Sequence, residues 1–517
     1  MGVVPVSSSV DITEIPNNTN AIWYKDAGIR KTVYFSCIIF VAQITAGFDE
    51  VTTGSFQAMA PWQTDMQYPD ASRLGLITSM LFVGGIVGSI VGPYIADTWG
   101  RRTVLATGAA SCLTGSILQS ASQNVGMFIF SRSLIGLGVV QTLVGGPSLV
   151  AELSHPRVRG SVLAFYNVLW YVGAILASWL TFGTGHLQSS WCWRAASVCQ
   201  VIPSSFLLIM LWQIPESPRF LIAKGRREEA HDILATYHAN GDHNDPLVLF
   251  ELREMDASVE MELGHKKQSL KVLYSGPSAR KRMFVVICVA IFVSFSGQNI
   301  ITYYFVPILN SVGVRGTNQQ TGINGGMQIW NLCCAIFGAI LVGKVGRRPV
   351  WIASFAGMIL ANIPLIATSA VYANSGSKPA AYVSIVTLFM YNAAFNIGCN
   401  PLPYSYTTEI LPYNMRAKGL GIFNILCWSF SVITQYVNPI GLHNIKWKFY
   451  IVYLALDIVF LGIIYLTFPE THNRSLEDVG VSVENSSKIA SARNSMVVID
   501  GVEKAGDVDI SNAPAKI

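Results

Sequence analysis

Polar and apolar positions along this chain are segregated into long blocks rather than alternating within short ones. Apolar stretches of roughly 18 or more residues recur, and a helix of that length crosses a hydrocarbon layer about 30 Å thick. The pattern predicts twelve spans. The first six run near 33–54, 75–96, 103–122, 126–150, 160–182 and 194–214, and the second six near 283–309, 322–343, 349–371, 380–402, 417–440 and 448–468. A polar stretch, residues 216–282, separates the sixes. The reading divides the chain into a polar N-terminal segment (1–32), a six-helix half (33–215), a central loop with short helices (216–282), a second six-helix half (283–468) and a tail (469–517). The first 30 residues carry no apolar leader core, so the first span is expected to be retained. After about residue 479 the chain is rich in Ser, Asn, Ala and Asp and is expected to be disordered.

Composition agrees with the pattern and narrows the function. Only 13% of the 517 residues are charged and 51% are hydrophobic, against about 25% charged in a soluble protein. This excludes a disordered chain, a nucleic-acid binder and an ordinary cytosolic enzyme. Most of the 9 Cys lie inside apolar runs, only Cys192 falls in an expected outer loop, and no CxxC pair occurs. A disulfide framework or zinc site is therefore not expected, and neither is a cofactor.

Charge sets the expected orientation. With both termini inside, 28 of the 35 Lys and Arg fall on inner segments and 6 on outer ones, which leaves Arg132 within a span. That excess places both termini and the central loop in the cytosol. Three Asn-X-Ser/Thr sequons, at Asn17, Asn473 and Asn485, then lie on cytosolic segments, where glycosylation is not expected.

The two halves repeat one another. Gly100-Arg101-Arg102, Glu152 with Arg159 seven residues on, and Pro215-Glu216 recur as Gly346-Arg347-Arg348, Glu409 with Arg416, and Pro469-Glu470. Three matches in order, each at the same edge of the corresponding helix, indicate a six-plus-six duplication. That architecture belongs to secondary transporters, with the ligand site between the halves near mid-membrane. Asp97-x-x-Gly100-Arg101-Arg102, Pro215-Glu216-Ser217-Pro218-Arg219, Gly346-Arg347-Arg348-Pro349 and Pro469-Glu470-Thr471 together resemble the sugar porter family of the major facilitator superfamily. The stretches Tyr166–Tyr171, Ser296–Tyr304 and Pro401–Tyr404 are most similar to fungal lactose and cellodextrin permeases. The resemblance implies an all-α membrane fold of twelve helices, transport by alternating access, and proton symport.

Arg and acidic residues at helix ends suggest ion-pair clusters that hold the inner ends together in one state and release them in another. The candidates are Arg101, Glu152, Arg159, Arg347, Glu409 and Arg416, with Glu216 and Glu470 as partners. The bland alternative is that they only anchor topology. The second copy departs from the first, since Gly343 stands where the first half has Asp97. Gly338-x4-Gly343-Lys344 resembles a phosphate loop but ends in Val345, and it lies at the end of a span, so nucleotide binding is not expected. Gly84, Gly88 and Gly92 form a stripe expected to serve close helix packing.

Asp49, Glu50, Arg132 and Asp457 are the ionisable residues within spans, where charge is costly and usually functional. Counting along the helices puts Asp49 roughly 24 Å above the inner surface and Arg132 roughly 9 Å below the outer one. A buried Asp49–Arg132 pair is expected, and protonating Asp49 would break it. The positions match the aspartate and arginine of proton-coupled sugar porters, which implies symport. A static pair is the alternative, either Asp49 or Glu50 could titrate, and the role of Asp457 is open.

A sugar presents hydroxyls and flat CH faces, so its site needs amides and aromatic platforms. Asn167, Gln298, Asn299, Asn331 and Asn424 are the amides, and Tyr303, Tyr304, Tyr404 and Trp428 the aromatics. By resemblance, Asn167 and Trp428 match sugar-site positions of the family. The family's glutamine pair falls instead at Val293 and Ser294, and Cys427 takes another usual glutamine position, which suggests a less polar or larger ligand than glucose. In the central loop, 225–230 and 247–263 read as short amphipathic helices with 11 basic and 11 acidic residues across the whole loop. The resemblance implies that they brace the inner gate.

The reading is thus a sugar carrier, proton-coupled, working as a monomeric unit in a lipid bilayer, with the plasma membrane expected and no nucleic-acid partner. A carrier of a non-sugar metabolite, even an exporter, and a non-transporting sugar sensor are the rivals.

Overall fold

The structure is a computed structural model. It describes residues 15–20, 22–266 and 270–471, without the side chains of 262–266, 413 and 414. The expected disordered tail beyond 479 lies outside the described residues. Every long element among the described residues is a helix. The first half holds α1 (Ala27–Phe56), α2 (Ala60–Asp65), α3 (Ala71–Trp99), α4 (Arg101–Ser120), α5 (Val125–Leu153), α6 (Pro156–Thr184), α7 (Trp191–Cys199) and α8 (Val201–Met210). The central loop forms α9 (Pro218–Ala223), α10 (Arg227–His238) and α11 (Pro246–Lys266). The second half holds α12 (Pro277–Phe295), α13 (Gln298–Tyr303), α14 (Phe305–Ser311), α15 (Thr317–Val345), α16 (Arg347–Ser375), α17 (Lys378–Gly398), α18 (Leu402–Ile410), α19 (Tyr413–Ile445) and α20 (Phe449–Thr467).

Ten stretches are long and apolar enough to cross a membrane. The last of them contains both α19 and α20, and α4 adds a further full-length helix, which reproduces the twelve spans expected. Helices of 29 residues, such as α3, α5 and α6, reach about 43 Å, more than the hydrocarbon thickness. Their starts are marked by capping side chains that satisfy otherwise unpaired N–H groups. Asp26 accepts from Ile29 N, Asp70 from Arg73 N and Asn124 from Met127 N, each at 2.9 Å. Pro at the first helical position opens α6, α9, α11 and α12.

Within the first half, glycines let helices touch backbone to backbone. A Cβ added at Gly84 would strike Ser133 O of α5, and one at Gly136 would strike Leu81 O of α3. Gly47 of α1 and Gly173 of α6 meet each other's helices in the same way. The largest buried apolar cluster lies in the second half, around Trp351, Phe355, Phe292 and Tyr406.

Three spans are broken: α7/α8 at Gln200, α12/α13 at Ser296-Gly297, and α17/α18 at Cys399-Asn400-Pro401. Gly297 takes φ +82°, a left-handed conformation that suits glycine. Such interruptions in a span survive where other groups re-satisfy the freed backbone. Hydrogen bonds join the two halves on the side opposite the central loop. Gln57 Nε2 donates to Tyr303 O at 2.8 Å, Thr317 Oγ1 to Ala58 O at 2.9 Å, and Asn324 Nδ2 to Ser55 Oγ at 3.1 Å.

Candidate functional site

Asp49 on α1 and Arg132 on α5 meet in the interior of the first half, with no exposed surface on either residue. Arg132 Nη1 lies 2.6 Å from Asp49 Oδ1. Gln200, at the α7/α8 break, donates from Nε2 to the same oxygen at 2.7 Å. Asp49 Oδ2 and Arg132 Nε and Nη2 have no partner. The pair is therefore held end-on through one oxygen rather than as a bidentate fork, which leaves room for rearrangement when the carboxylate changes charge. Gln200 was not singled out in the sequence, although a buried amide inside a span was the available signal. The neighbouring Glu50 interacts electrostatically with both members of this pair and contacts Tyr303 and Trp170.

The amides and aromatics named from the sequence do not form one cluster. Gln298 Nε2 donates to Asn392 Oδ1 at 2.7 Å. Asn299 Nδ2 reaches Ser294 O at 3.2 Å, and Asn331 Nδ2 reaches Gln328 Oε1 at 3.4 Å on its own helix. Tyr404 donates to Asn424 Oδ1 at 3.0 Å, and Tyr404 is exposed. Trp428 packs on Phe82 of the other half at 5.4 Å between ring centroids, and Phe82 packs on Tyr303 at 5.5 Å. Tyr304 is bound to Thr78 and to Gln435 O, so it belongs to the contact between the halves. Asn167 lies exposed on α6.

Two buried acceptors, Gln298 Oε1 and Asn331 Oδ1, lack partners among the described residues, and the Tyr303 hydroxyl faces the Glu50 carboxyl. A buried unsatisfied group costs roughly 1–3 kcal/mol, so the two acceptors are places a polar ligand can repay. The structure adds Tyr171 of α6, which donates to Asn396 Oδ1 at 2.5 Å and accepts from Asn400 Nδ2, linking the halves near the middle. Both Asn residues sit at the loop-side end of α17, where the span breaks, and could have been found by the same search for amides in spans.

At the loop-side ends the two halves repeat the same capping arrangement. Gly100 and Gly346 take φ +106° and +108°, which turns the following N–H groups outward. Glu216 accepts from Arg101 N at 3.0 Å and Arg102 N at 3.2 Å, and Glu470 from Arg347 N at 3.0 Å and Arg348 N at 3.1 Å. These acids thus cap the N-termini of α4 and α16, where the helix dipole favours negative charge. Burial lifts the Glu216 carboxyl above its usual range, against the pull of backbone N–H groups of Ser217, Arg102 and Arg101. The side chain of Arg101 meets Glu152 at 3.4 Å, and Arg347 grips Glu409 with Nη2 at 2.8 Å and Nε at 3.1 Å. Ser217 and Thr471 donate to Glu152 and Glu409 respectively. Arg159 Nε and Arg416 Nε each donate to a carbonyl five residues earlier, at 3.4 Å.

In the first half the central loop joins this cluster through α10 and α11. Arg159 Nη2 lies 3.5 Å from Glu251 Oε1, and His238 Nδ1 lies 2.6 Å from Glu251 Oε2. His238 Nε2 faces Leu153 O at 3.2 Å. A ring with an acceptor at each nitrogen is an imidazolium. Burial opposes the charge on His238, but the Glu251 carboxylate outweighs it and raises the ring above its ordinary value. Burial likewise works against the Glu251 carboxylate, and His238 with Arg159 hold it below the usual range. The neighbouring His155 ring, 5.3 Å from that of His238, accepts from Arg157 N. Burial and the charge on His238 push it down to about 4.

Comparison with known proteins places this arrangement. The family model for sugar (and other) transporters matches residues 35–482. A high-affinity glucose transporter of Candida albicans is 28% identical, over 87% of this chain and 86% of its own. The MFS-type transporter oryC of Aspergillus oryzae is 31% identical, over 80% and 78%. The galactose-proton symporter of Escherichia coli K12 is 26% identical, over 87% and 94%. Among solved structures, the inward open conformation of the xylose transporter XylE from E. coli superposes with a TM-score of 0.72 at 22% identity, covering 87% of this chain and 99% of that one. This last likeness establishes the fold.

Proposed function

The chain belongs to the sugar transporter family of multi-pass membrane carriers, and on that premise we propose that it imports a sugar by proton symport through alternating access. The observation that carries the sugar reading is the pair of orphaned buried acceptors at Gln298 and Asn331, which suit a ligand rich in O–H groups. Proton coupling rests on Asp49. Protonation cancels its attraction for Arg132 and leaves Gln200 as its remaining partner. The freed guanidinium then re-pairs elsewhere, which biases the carrier between its two access states. The Arg101–Glu152 and Arg347–Glu409 pairs act at the loop-side gate. The cell's plasma membrane, a cytosolic central loop with cytosolic termini, and a monomeric transport unit complete the reading.

The test is uptake of radiolabelled hexoses, pentoses and disaccharides at two external pH values, in cells lacking their own sugar carriers. Uptake of one sugar, faster at the lower pH, is expected. If none of the sugars enters, the sugar assignment fails. Asp49→Asn is expected to abolish accumulation while sparing exchange, and retained accumulation would remove Asp49 from the coupling role. A second reading, a carrier of a non-sugar metabolite, is favoured by Val293 and Ser294 at the positions of the family's glutamines, and the same panel decides it.

A further inference from the structure

Asp457 on α20 has no exposed surface, and its Oδ1 has no hydrogen-bond partner. Among the described residues no Lys, Arg or His pairs with it. The titratable groups that interact with it are Tyr391 of α17, Cys399 just beyond α17, and Tyr453 on its own helix. None is a cation. A bare carboxylate in such a place is expensive, far more so than Asp49 with its guanidinium and amide.

Counting hydrogens shows how the cost is avoided. The Tyr391 hydroxyl contacts the Ser296 carbonyl, and it lies 3.2 Å from Asp457 Oδ2. A phenol has one proton, and a carbonyl can only accept. The proton that binds Tyr391 to Ser296 is therefore not available to Asp457. The second contact is a hydrogen bond when the carboxyl supplies the proton. The chain then runs from the Asp457 O–H to the Tyr391 oxygen, and from the Tyr391 O–H to the Ser296 carbonyl.

We propose that Asp457 is a second proton-binding site of the carrier, separate from Asp49, whose bound proton secures the break in the seventh span through Tyr391. Ser296 opens that break, and a Cβ on Gly297 would meet the Tyr391 hydroxyl at 2.8 Å and the Tyr453 ring at 3.1 Å. The next residue, Gln298, is bonded to Asn392, the neighbour of Tyr391. Two short turns thus touch both the proton site and a candidate ligand amide. When Asp457 gives its proton to water, the Tyr391 proton turns to the carboxylate. The Ser296 carbonyl loses its donor and the break is freed to move.

The test needs no transported substrate, so it stands apart from the sugar reading. The full-length chain in phosphatidylcholine bilayers is examined by infrared spectroscopy at neutral pH. A C=O stretch of a buried protonated carboxyl is expected. It should disappear in Asp457→Asn, whose amide keeps the shape and the donor to Tyr391, and remain in Asp49→Asn. Tyr391→Phe removes its acceptor and should shift the band to higher wavenumber. An Asp457→Asn spectrum identical to the wild type in this region overturns the proposal. If the Asn variant does not fold, Asp457→Glu and Tyr391→Phe decide: a shift of the band in both supports the site, and an unmoved band overturns it.

Discussion

The loop-side ends of the two halves share one construction and differ in what supports it. Each has a positive-φ glycine, an acid that caps the next helix through backbone N–H groups, and an Arg–Glu pair. In the second half the pair is a fork, with Arg347 donating through two nitrogens to a carboxylate about a quarter exposed. In the first half the Arg101–Glu152 contact is a single one at 3.4 Å. There the central loop adds a buried pair, Glu251 and His238, which also meets the half-buried Arg159 of α6. The difference teaches that a duplicated charge cluster need not be energetically symmetric. One half relies on a charge pair open to water, and the other on a docked helix pair.

The largest expected effect follows from burial. Glu251 is only 3% exposed, and removing it leaves His238 and Arg159 without their carboxylate. Breaking a buried pair in this way costs about 3–5 kcal/mol. Thermal unfolding of Glu251→Ala in lipid or detergent should show that loss. Removing the acid of the second half's own pair, Glu409→Ala, should cost only about 1 kcal/mol because that pair is partly solvated. Equal losses would erase the contrast.

The glycines come next. Alanine at Gly100 or Gly346 must adopt a strained positive φ, at about 1–2 kcal/mol. At Gly100 the added Cβ also lands within the Glu216 carboxylate, whereas at Gly346 the nearest Glu470 oxygen is 3.1 Å away. Gly100→Ala should therefore destabilise more than Gly346→Ala in the same unfolding assay, and the reverse order would show that the two caps differ from what the geometry implies.

Much of this was legible in the residue pattern. The twelve spans follow from lengths of apolar sequence, and the repeat follows from the spacing of Gly-Arg-Arg, Glu–Arg and Pro-Glu. What Glu216 and Glu470 touch was not legible, since a carboxylate accepting from backbone N–H groups depends on a glycine's φ rather than on a side-chain partner. The Arg159–Glu251 contact was hidden for another reason: it forms only when a helix some 90 residues along the chain folds back. Asn331 shows what an amide's place in a span leaves open, because its Nδ2 is taken by Gln328 one turn away while its Oδ1 stays unpaired among the described residues. Asp457 could be found as an isolated acid in a span, but its state depends on how many protons Tyr391 can give.

The docked loop should also respond to pH. His238 is raised, so its stabilising charge is fully present below the ordinary histidine value of about 6.5 and is lost as pH rises through its folded value. His155 is pushed down to about 4. Its neutral burial is free of penalty above about 6.5 and costs on the order of 3 kcal/mol once the pH falls to that lower value. Glu251 is lowered, so its contribution is kept above the usual carboxylate range and goes only in stronger acid. Hydrogen-exchange protection of α10 amides should therefore peak near pH 6.5 and decline on either side. His155→Gln should flatten the acid side and leave the alkaline side intact. A profile unchanged by that substitution would remove His155 from the account.

The smallest effect probes the residue by which the copies differ most plainly. Asp97 lies four residues before Arg101, while the corresponding place before Arg347 is Gly343, around which no atom lies within 4 Å of an added Cβ. Gly343→Asp therefore fits without steric strain. It replaces a helical glycine, worth a few tenths of a kcal/mol for Asp and about 0.5–1 kcal/mol for Ala, and puts a solvated carboxylate near Arg347, worth at most about 1 kcal/mol. A stabilisation of that size in thermal unfolding is expected, smaller in high salt by the electrostatic part alone. Gly343→Ala separates the two contributions. If Asp stabilises less than Ala and salt leaves its effect unchanged, the acid of the first half has no electrostatic counterpart to restore, and the fork from Arg347 to Glu409 already satisfies that guanidinium.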